Sequence, residues 1–103
     1  MHKLLVLYPE PHDRVQFAQH YETTHLPLVQ ELPGMRACRY SLDLSGHDEQ
    51  SGYFAVFEAD FDDNEALVRA LSSPQGAAVQ ADVPNYATGG ATVLHFPVHN
   101  ATN

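Results

Sequence analysis

Residues 52–60 read GYFAVFEAD, with Tyr53, Ala55, Phe57 and Ala59 alternating with Phe54, Val56 and Glu58. Successive side chains of a strand point to opposite faces, so both faces of this strand are mostly apolar and both are expected to meet protein. Residues 35–44 (MRACRYSLDL) form a second extended segment, and Ser45-Gly46-His47-Asp48-Glu49-Gln50-Ser51 between the two is polar and glycine-containing. Such composition marks a loop, so the two segments read as a hairpin.

Upstream, Leu4 to Tyr8 is a short continuous apolar run closed by Pro9-Glu10-Pro11, which favours a buried strand over a helix. From Asp13, a plausible N-cap, Phe17, Tyr21 and His25 recur at spacing four. This predicts a helix to about Thr24, restarted at Pro27 as a short second turn and ended by Pro33-Gly34. Downstream, Asp62 and Glu65 are spaced like a capping box ahead of Ala66, Leu67, Ala70 and Leu71, predicting an amphipathic helix that ends near Ser72. Ser73-Pro74 opens another short helical piece, Tyr86 begins the return to extended chain, and Ala91 to Val98 reads as the last strand. The order β, α, β, β, α, β corresponds to an α+β, ferredoxin-like sandwich: one antiparallel four-stranded sheet with helices on one face. The doubly apolar strands leave the other face in need of a cover, which a second copy would supply as a homodimer packed sheet against sheet.

At 103 residues with 44% hydrophobic content, the chain is expected to fold as one domain over 1–103. Thirteen acidic against five basic residues give a net charge of −8, which disfavours nucleic acid and anionic membranes as partners. Cys38 stands alone, as suits a reducing compartment. No stretch approaches the roughly 20 apolar residues of a membrane span and none reads as a secretory signal, so a soluble cytoplasmic protein is expected.

His25 is the leading candidate for chemistry, because imidazole titrates beside neutral pH and can take and return a proton. Its alternative role is a buried histidine that terminates the first helix. Tyr21 shares its helix face and could hold a substrate oxygen or simply belong to the core. Phe17 and Leu28 extend that face as an apolar wall. Tyr40, Tyr53 and Tyr8 stand on strands, where register decides which hydroxyls face the helices. Arg36 and Arg39 could clamp a carboxylate, although ion pairs with the many acids are the plainer reading. Cys38 lies in no nucleophile motif. Seven histidines are many for this length, yet His20 and His25 splay around a helix, and His95 and His99 share a face only if the last strand extends that far; no metal is expected. No glycine-rich phosphate loop follows the first strand, so no nucleotide cofactor is expected either.

The run Tyr21-x-x-x-His25-x-Pro27-Leu28-Val29, then Leu32-Pro33-Gly34, resembles the helix-one signature of the EthD-like proteins, named for ethyl tert-butyl ether degradation, in the dimeric α+β barrel superfamily. Length and element order extend the likeness over residues 3 to 98. The resemblance implies a cofactor-free cavity between helices and sheet, with His25 pointing inward. Similar proteins include methylmuconolactone isomerases and fungal decarboxylases or dehydratases of polyketide aromatics, and the namesake accompanies a cytochrome P450 system. Two functions follow as expectations. One is cofactor-independent proton transfer, of isomerase or lyase type, on a small hydrophobic carbonyl, lactone or aromatic compound. There His25 is the base, Tyr21 with Tyr40 or Tyr53 holds the oxyanion, and Phe17, Leu28, Phe54 and Val56 form the walls. The other is a non-catalytic carrier that holds a hydrophobic intermediate for a partner oxygenase.

Overall fold

The strand that opens the sequence argument lies inside the sheet. In the computed structural model, which describes residues 1–102, β1 (His2–Pro9), β2 (Ala37–Ser41), β3 (Tyr53–Phe61) and β4 (Thr92–Pro97) form one sheet of order β2-β3-β1-β4. Every pairing is antiparallel. This is the ferredoxin-like α+β sandwich that the element order predicts.

α1 (Arg14–His20) starts where Asp13 accepts the Val15 and Gln16 amides, relieving two of the unpaired donors of a helix start. The chain then widens into a π turn, Tyr21–His25, and resumes as α2, Leu26–Val29. Pro27 explains the irregularity: a proline inside a helix lacks an N–H and crowds the preceding carbonyl, and a π turn is one way to make room. The wider turn has a second effect. In a regular helix of 3.6 residues per turn, side chains four apart drift around the axis; the π turn offsets that drift. Phe17, Tyr21, His25 and Val29 are therefore all buried on one face.

α3 (Asn64–Ser72) is capped by Asp63, which accepts the Ala66 amide. The capping-box expectation at Asp62 is corrected by one residue, because Asp62 is taken by Arg36 in a two-pronged pair at 2.7 and 2.9 Å. α4 (Pro74–Asp82) begins with Ser73 as cap and Pro74 at the first position, as its sequence indicates. A Cβ at Gly76 would collide with the carbonyl oxygens of Ala70 and Leu71, so glycine is what lets α4 start tight against the end of α3. A 3-10 turn, Val83–Asn85, follows, and Tyr86 caps it instead of opening a strand.

Register assigns the faces. Leu4, Val6 and Tyr8 of β1 stand opposite Ala59, Phe57 and Ala55 of β3, and all six are buried beneath the helices. A bulge at Tyr8/Pro9 places Pro9 opposite Tyr53 and leaves Phe54 as the extra residue. This breaks the strict alternation read from the sequence and turns Phe54 inward, where its ring meets Phe17 edge-on at 5.0 Å. The other face carries Leu5, Leu7, Val56, Leu94 and Phe96 together with the charged Lys3, Arg39, Glu58 and Asp60. Arg39 binds Glu58 and Asp60 at 2.7 and 2.8 Å, and Lys3 lies 3.4 and 3.6 Å from the same two carboxylates. This face is therefore part apolar and part ion-paired, less apolar than the sequence reading of mostly apolar strand faces expects.

Candidate active site

At the α4 end of the molecule, side chains from four elements meet in one hydrogen-bonded row. His25, in the π turn, places Nδ1 2.9 Å from Oδ2 of Asp82 and Nε2 3.0 Å from the Tyr86 hydroxyl. The Tyr86 hydroxyl lies 2.8 Å from that of Tyr8 on β1. Asp82, buried at the last turn of α4, also receives His20 Nε2 at 2.9 and 3.1 Å and the Asn85 amide at 2.9 Å. A buried carboxylate needs this many donors to remain charged.

Protonation follows from these surroundings. Burial works to raise the Asp82 pKa, but hydrogen bonds from Asn85, His20 and His25 outweigh it and hold the carboxyl below its usual range. Burial lowers the His25 pKa and outweighs the opposing pull of Asp82, so the ring is neutral at pH 7. An ionised Asp82 only accepts, hence Nδ1 carries the hydrogen and Nε2 is a bare lone pair. Burial also raises the pKa of Tyr8, Tyr21 and Tyr86, with a neighbouring phenol adding to the effect at Tyr21 and Tyr86. All three hydroxyls therefore keep their protons.

Beside the row runs a cleft of about 410 Å³ between the helices and the sheet. Leu4, Val6 and Phe57 form its floor, and Val29, Leu32, Leu71, Val79 and Val83 form its helix wall. Tyr8, Tyr21 and His25 stand at its polar end. Ala91 and Val93, both exposed, border it on the β4 side. Tyr21 stacks on His25 with centroids 5.3 Å apart, and its buried hydroxyl has no hydrogen-bond partner among the described residues.

Of the residues singled out in the sequence, the structure brings Tyr21, His25 and Tyr8 together here. Phe17 lies one layer away, in the core against Tyr8, Phe54 and Tyr86. Leu28 is half-buried and does not line the cleft, because the π turn hands that face to Val29. Tyr40 is on the outer strand and donates to Glu22 at 2.7 Å. Tyr53 borders the 44–53 loop, beyond the bulge that turns Phe54 into the core. Val56 belongs to the opposite sheet face. Arg36 and Arg39 are engaged by Asp62, Glu58 and Asp60, so neither is a clamp for a ligand. Burial raises the Cys38 thiol above its ordinary pKa despite nearby Arg39, which does not favour a nucleophile. Among the described residues no three metal-ligating side chains cluster; His95 bonds His2 at 2.9 Å, and β4 ends at Pro97, short of His99.

Sequence reasoning missed Asp82, Tyr86 and the part played by His20. One signal was available: Asp82 is the sole charged side chain between residues 70 and 103. A lone acid in an apolar stretch is a candidate for burial with partners.

The fold and the site together define a ferredoxin-like α+β protein with a buried histidine–carboxylate pair at the end of an apolar cleft. A profile of the EthD domain matches residues 9–90, and the chain belongs to that family. It is 32% identical over 96 residues, 91% of either chain, to an uncharacterised 11.0 kDa protein of the thcB–thcC intergenic region of Rhodococcus erythropolis. It is also similar to the crystal structure of an ethyl tert-butyl ether degradation (EthD) family protein from Bacillus halodurans, at 30% identity and a TM-score of 0.88, over 96% of this chain and 99% of that one. The hydroxynitrile lyase of Passiflora edulis shares the fold at a TM-score of 0.78 and 13% identity, over 99% and 96% of the two chains. Other solved structures of this fold are described as dimeric ferredoxin-like proteins. No helix among the described residues is long and apolar enough to cross a membrane.

Proposed function

We propose that the protein is a cofactor-independent proton-transfer enzyme, of isomerase or lyase type, acting on a small hydrophobic carbonyl, lactone or aromatic compound. The observation that carries this reading is a neutral His25 held between Asp82 and the phenols of Tyr86 and Tyr8 at the end of the cleft. Asp82 fixes the tautomer and would stabilise the imidazolium formed when a proton arrives. A carboxylate behind a histidine has this role in many hydrolases. Tyr8 and Tyr86 would relay the proton to Nε2, and Tyr21 would donate to the substrate oxygen. Such donors act most strongly where water is excluded.

One observation favours a second reading, a carrier that holds a hydrophobic intermediate for a partner oxygenase: Tyr86 already occupies Nε2, so no free base meets the ligand directly. Deuterium exchange separates the two. Small carbonyl compounds, lactones and hydroxylated aromatics incubated with the protein in D₂O are expected to gain carbon-bound deuterium or to convert to product. Binding without either would leave the carrier reading.

The working unit in this proposal is a homodimer in a reducing cytoplasm. Leu94 and Phe96 are 46% and 40% exposed on the apolar part of the open sheet face, beside Leu5 and Leu7, and a second copy would cover them. Sedimentation at micromolar concentration is expected to give a dimer, and Leu94→Asp with Phe96→Asp a monomer. A monomeric wild type would sink this assembly.

A further inference from the structure

The direction of the hydrogen-bond row constrains what can enter the cleft. Asp82 accepts from Nδ1, so Nε2 must accept, and Tyr86 must donate to it at 3.0 Å. A phenol has a single hydrogen. With that of Tyr86 committed to His25, Tyr8 must be the donor in the 2.8 Å contact between the two hydroxyls. Tyr8 lines the cleft and Tyr86 does not. The last member of the row therefore offers the ligand only lone pairs. Tyr21, also lining the cleft, has the opposite character: its buried hydroxyl lies near enough to that of Tyr8 to act on its pKa but makes no direct hydrogen bond among the described residues, so its hydrogen is left for an oxygen that enters between the two phenols.

The cations add a second constraint. The chain has five Lys and Arg, and each stands beside a carboxylate away from the cleft: Lys3 and Arg39 by Glu58 and Asp60, Arg14 by Glu10, Arg36 by Asp62 and Arg69 by Glu65. None lines the cleft. A ligand carboxylate there would meet no positive charge and would lie near the ionised Asp82, an arrangement burial penalises.

We propose that the cleft selects a neutral ligand bearing a hydroxyl (an alcohol, phenol or enol) whose oxygen donates to Tyr8 and accepts from Tyr21, in preference to a bare ketone or a carboxylate. A carbonyl oxygen can satisfy Tyr21 but has no hydrogen for Tyr8. This narrows the proton-transfer reading to its hydroxylated aromatic and enolic substrates, away from simple ketones, and rests on that reading for the chemical sequel. In that sequel the ligand O–H bond breaks and its proton passes to Tyr8, while the Tyr8 proton passes to Tyr86 and the Tyr86 proton to Nε2. The ligand is left as the alkoxide or enolate, and His25 as an imidazolium facing Asp82.

The test is a binding comparison that needs no turnover. 1-Phenylethanol, acetophenone and benzoate are titrated into protein labelled at the histidine and tyrosine rings, following the His25 and Tyr8 resonances in wild type and in Tyr8→Phe. The alcohol is expected to bind at least about tenfold more tightly than the ketone, the effect of one well-made buried hydrogen bond. Benzoate is expected to bind weakest, and Tyr8→Phe to erase the alcohol's advantage. A ketone that binds as well as the alcohol, a preference for benzoate, an advantage that survives in Tyr8→Phe, or no binding by any of the three would overturn the proposal. Absence of deuterium exchange alongside an intact alcohol preference would instead remove the proton-transfer reading and leave this selectivity standing.

Discussion

Above about pH 10, the ordinary pKa of tyrosine, the folded chain is expected to lose stability steeply. Tyr8, Tyr21 and Tyr86 are 2%, 1% and 0% exposed, and burial raises the pKa of each in the folded state. The sign follows from that direction. A group whose folded pKa is raised holds its full contribution below its unfolded pKa and loses it as pH climbs toward the folded value. Between those limits the unfolded chain releases a proton that the folded chain keeps, at up to about 1.4 kcal/mol per pH unit for each phenol. Three phenols titrating together approach about 4 kcal/mol per unit, against a total stability of roughly 5–15 kcal/mol for a domain of this kind. Urea melts at several alkaline pH values, with tyrosinate absorbance followed in parallel, check this. The expected result is a cooperative loss of structure coincident with the ionisation of the buried tyrosines, and a shallower slope in Tyr86→Phe. Gradual ionisation of all five tyrosines near pH 10 in a protein that stays folded would show that the phenols are not locked in the row.

The local parts of this design are legible in the sequence because local chemistry sets them. Asp13 and Ser73-Pro74 start their helices for reasons contained within four residues, and the apolar alternation of β3 marks it as a strand without saying which face meets the helices, so Val56, expected in the cleft wall, lies on the other face. The site is less legible because its members are distant in the chain. Asp82 and Tyr86 reach His25 across 57 and 61 positions, and no spacing rule connects a helix-one histidine to the end of the fourth helix. Local irregularity accounts for most of the misplaced wall residues. The π turn at Pro27 moves Val29 into the place expected for Leu28, and the bulge at Pro9 sends Phe54 and Tyr53 to different surroundings. Both are departures of a single residue from ideal period, which periodic reading cannot register.

His25→Gln is expected to reduce turnover of whichever compound the protein exchanges or converts by about 10²–10⁴, the usual contribution of a positioned proton-transfer group, while affinity changes no more than a few-fold. Glutamine suits the test because its amide can donate toward Asp82 and its carbonyl oxygen can accept from Tyr86, so the row and the cleft wall can persist while the titratable nitrogen is lost. Tyr86→Phe should lower turnover in the same sense, since it breaks the contact between Tyr8 and Nε2. Asp82→Asn should do so for a different reason: an amide removes the charge that fixes Nδ1–H and balances an imidazolium, and it keeps one acceptor oxygen where the carboxylate offers one to His25 and another to Asn85 and His20. The three substitutions act on one unit, so their combined loss should fall well short of the product of the separate losses. Steady-state kinetics and separately measured binding constants for the three variants and their triple combination decide the matter. Turnover losses that multiply independently would mean that the groups do not act in series, and loss of affinity without loss of turnover would assign the row to holding a ligand for another protein.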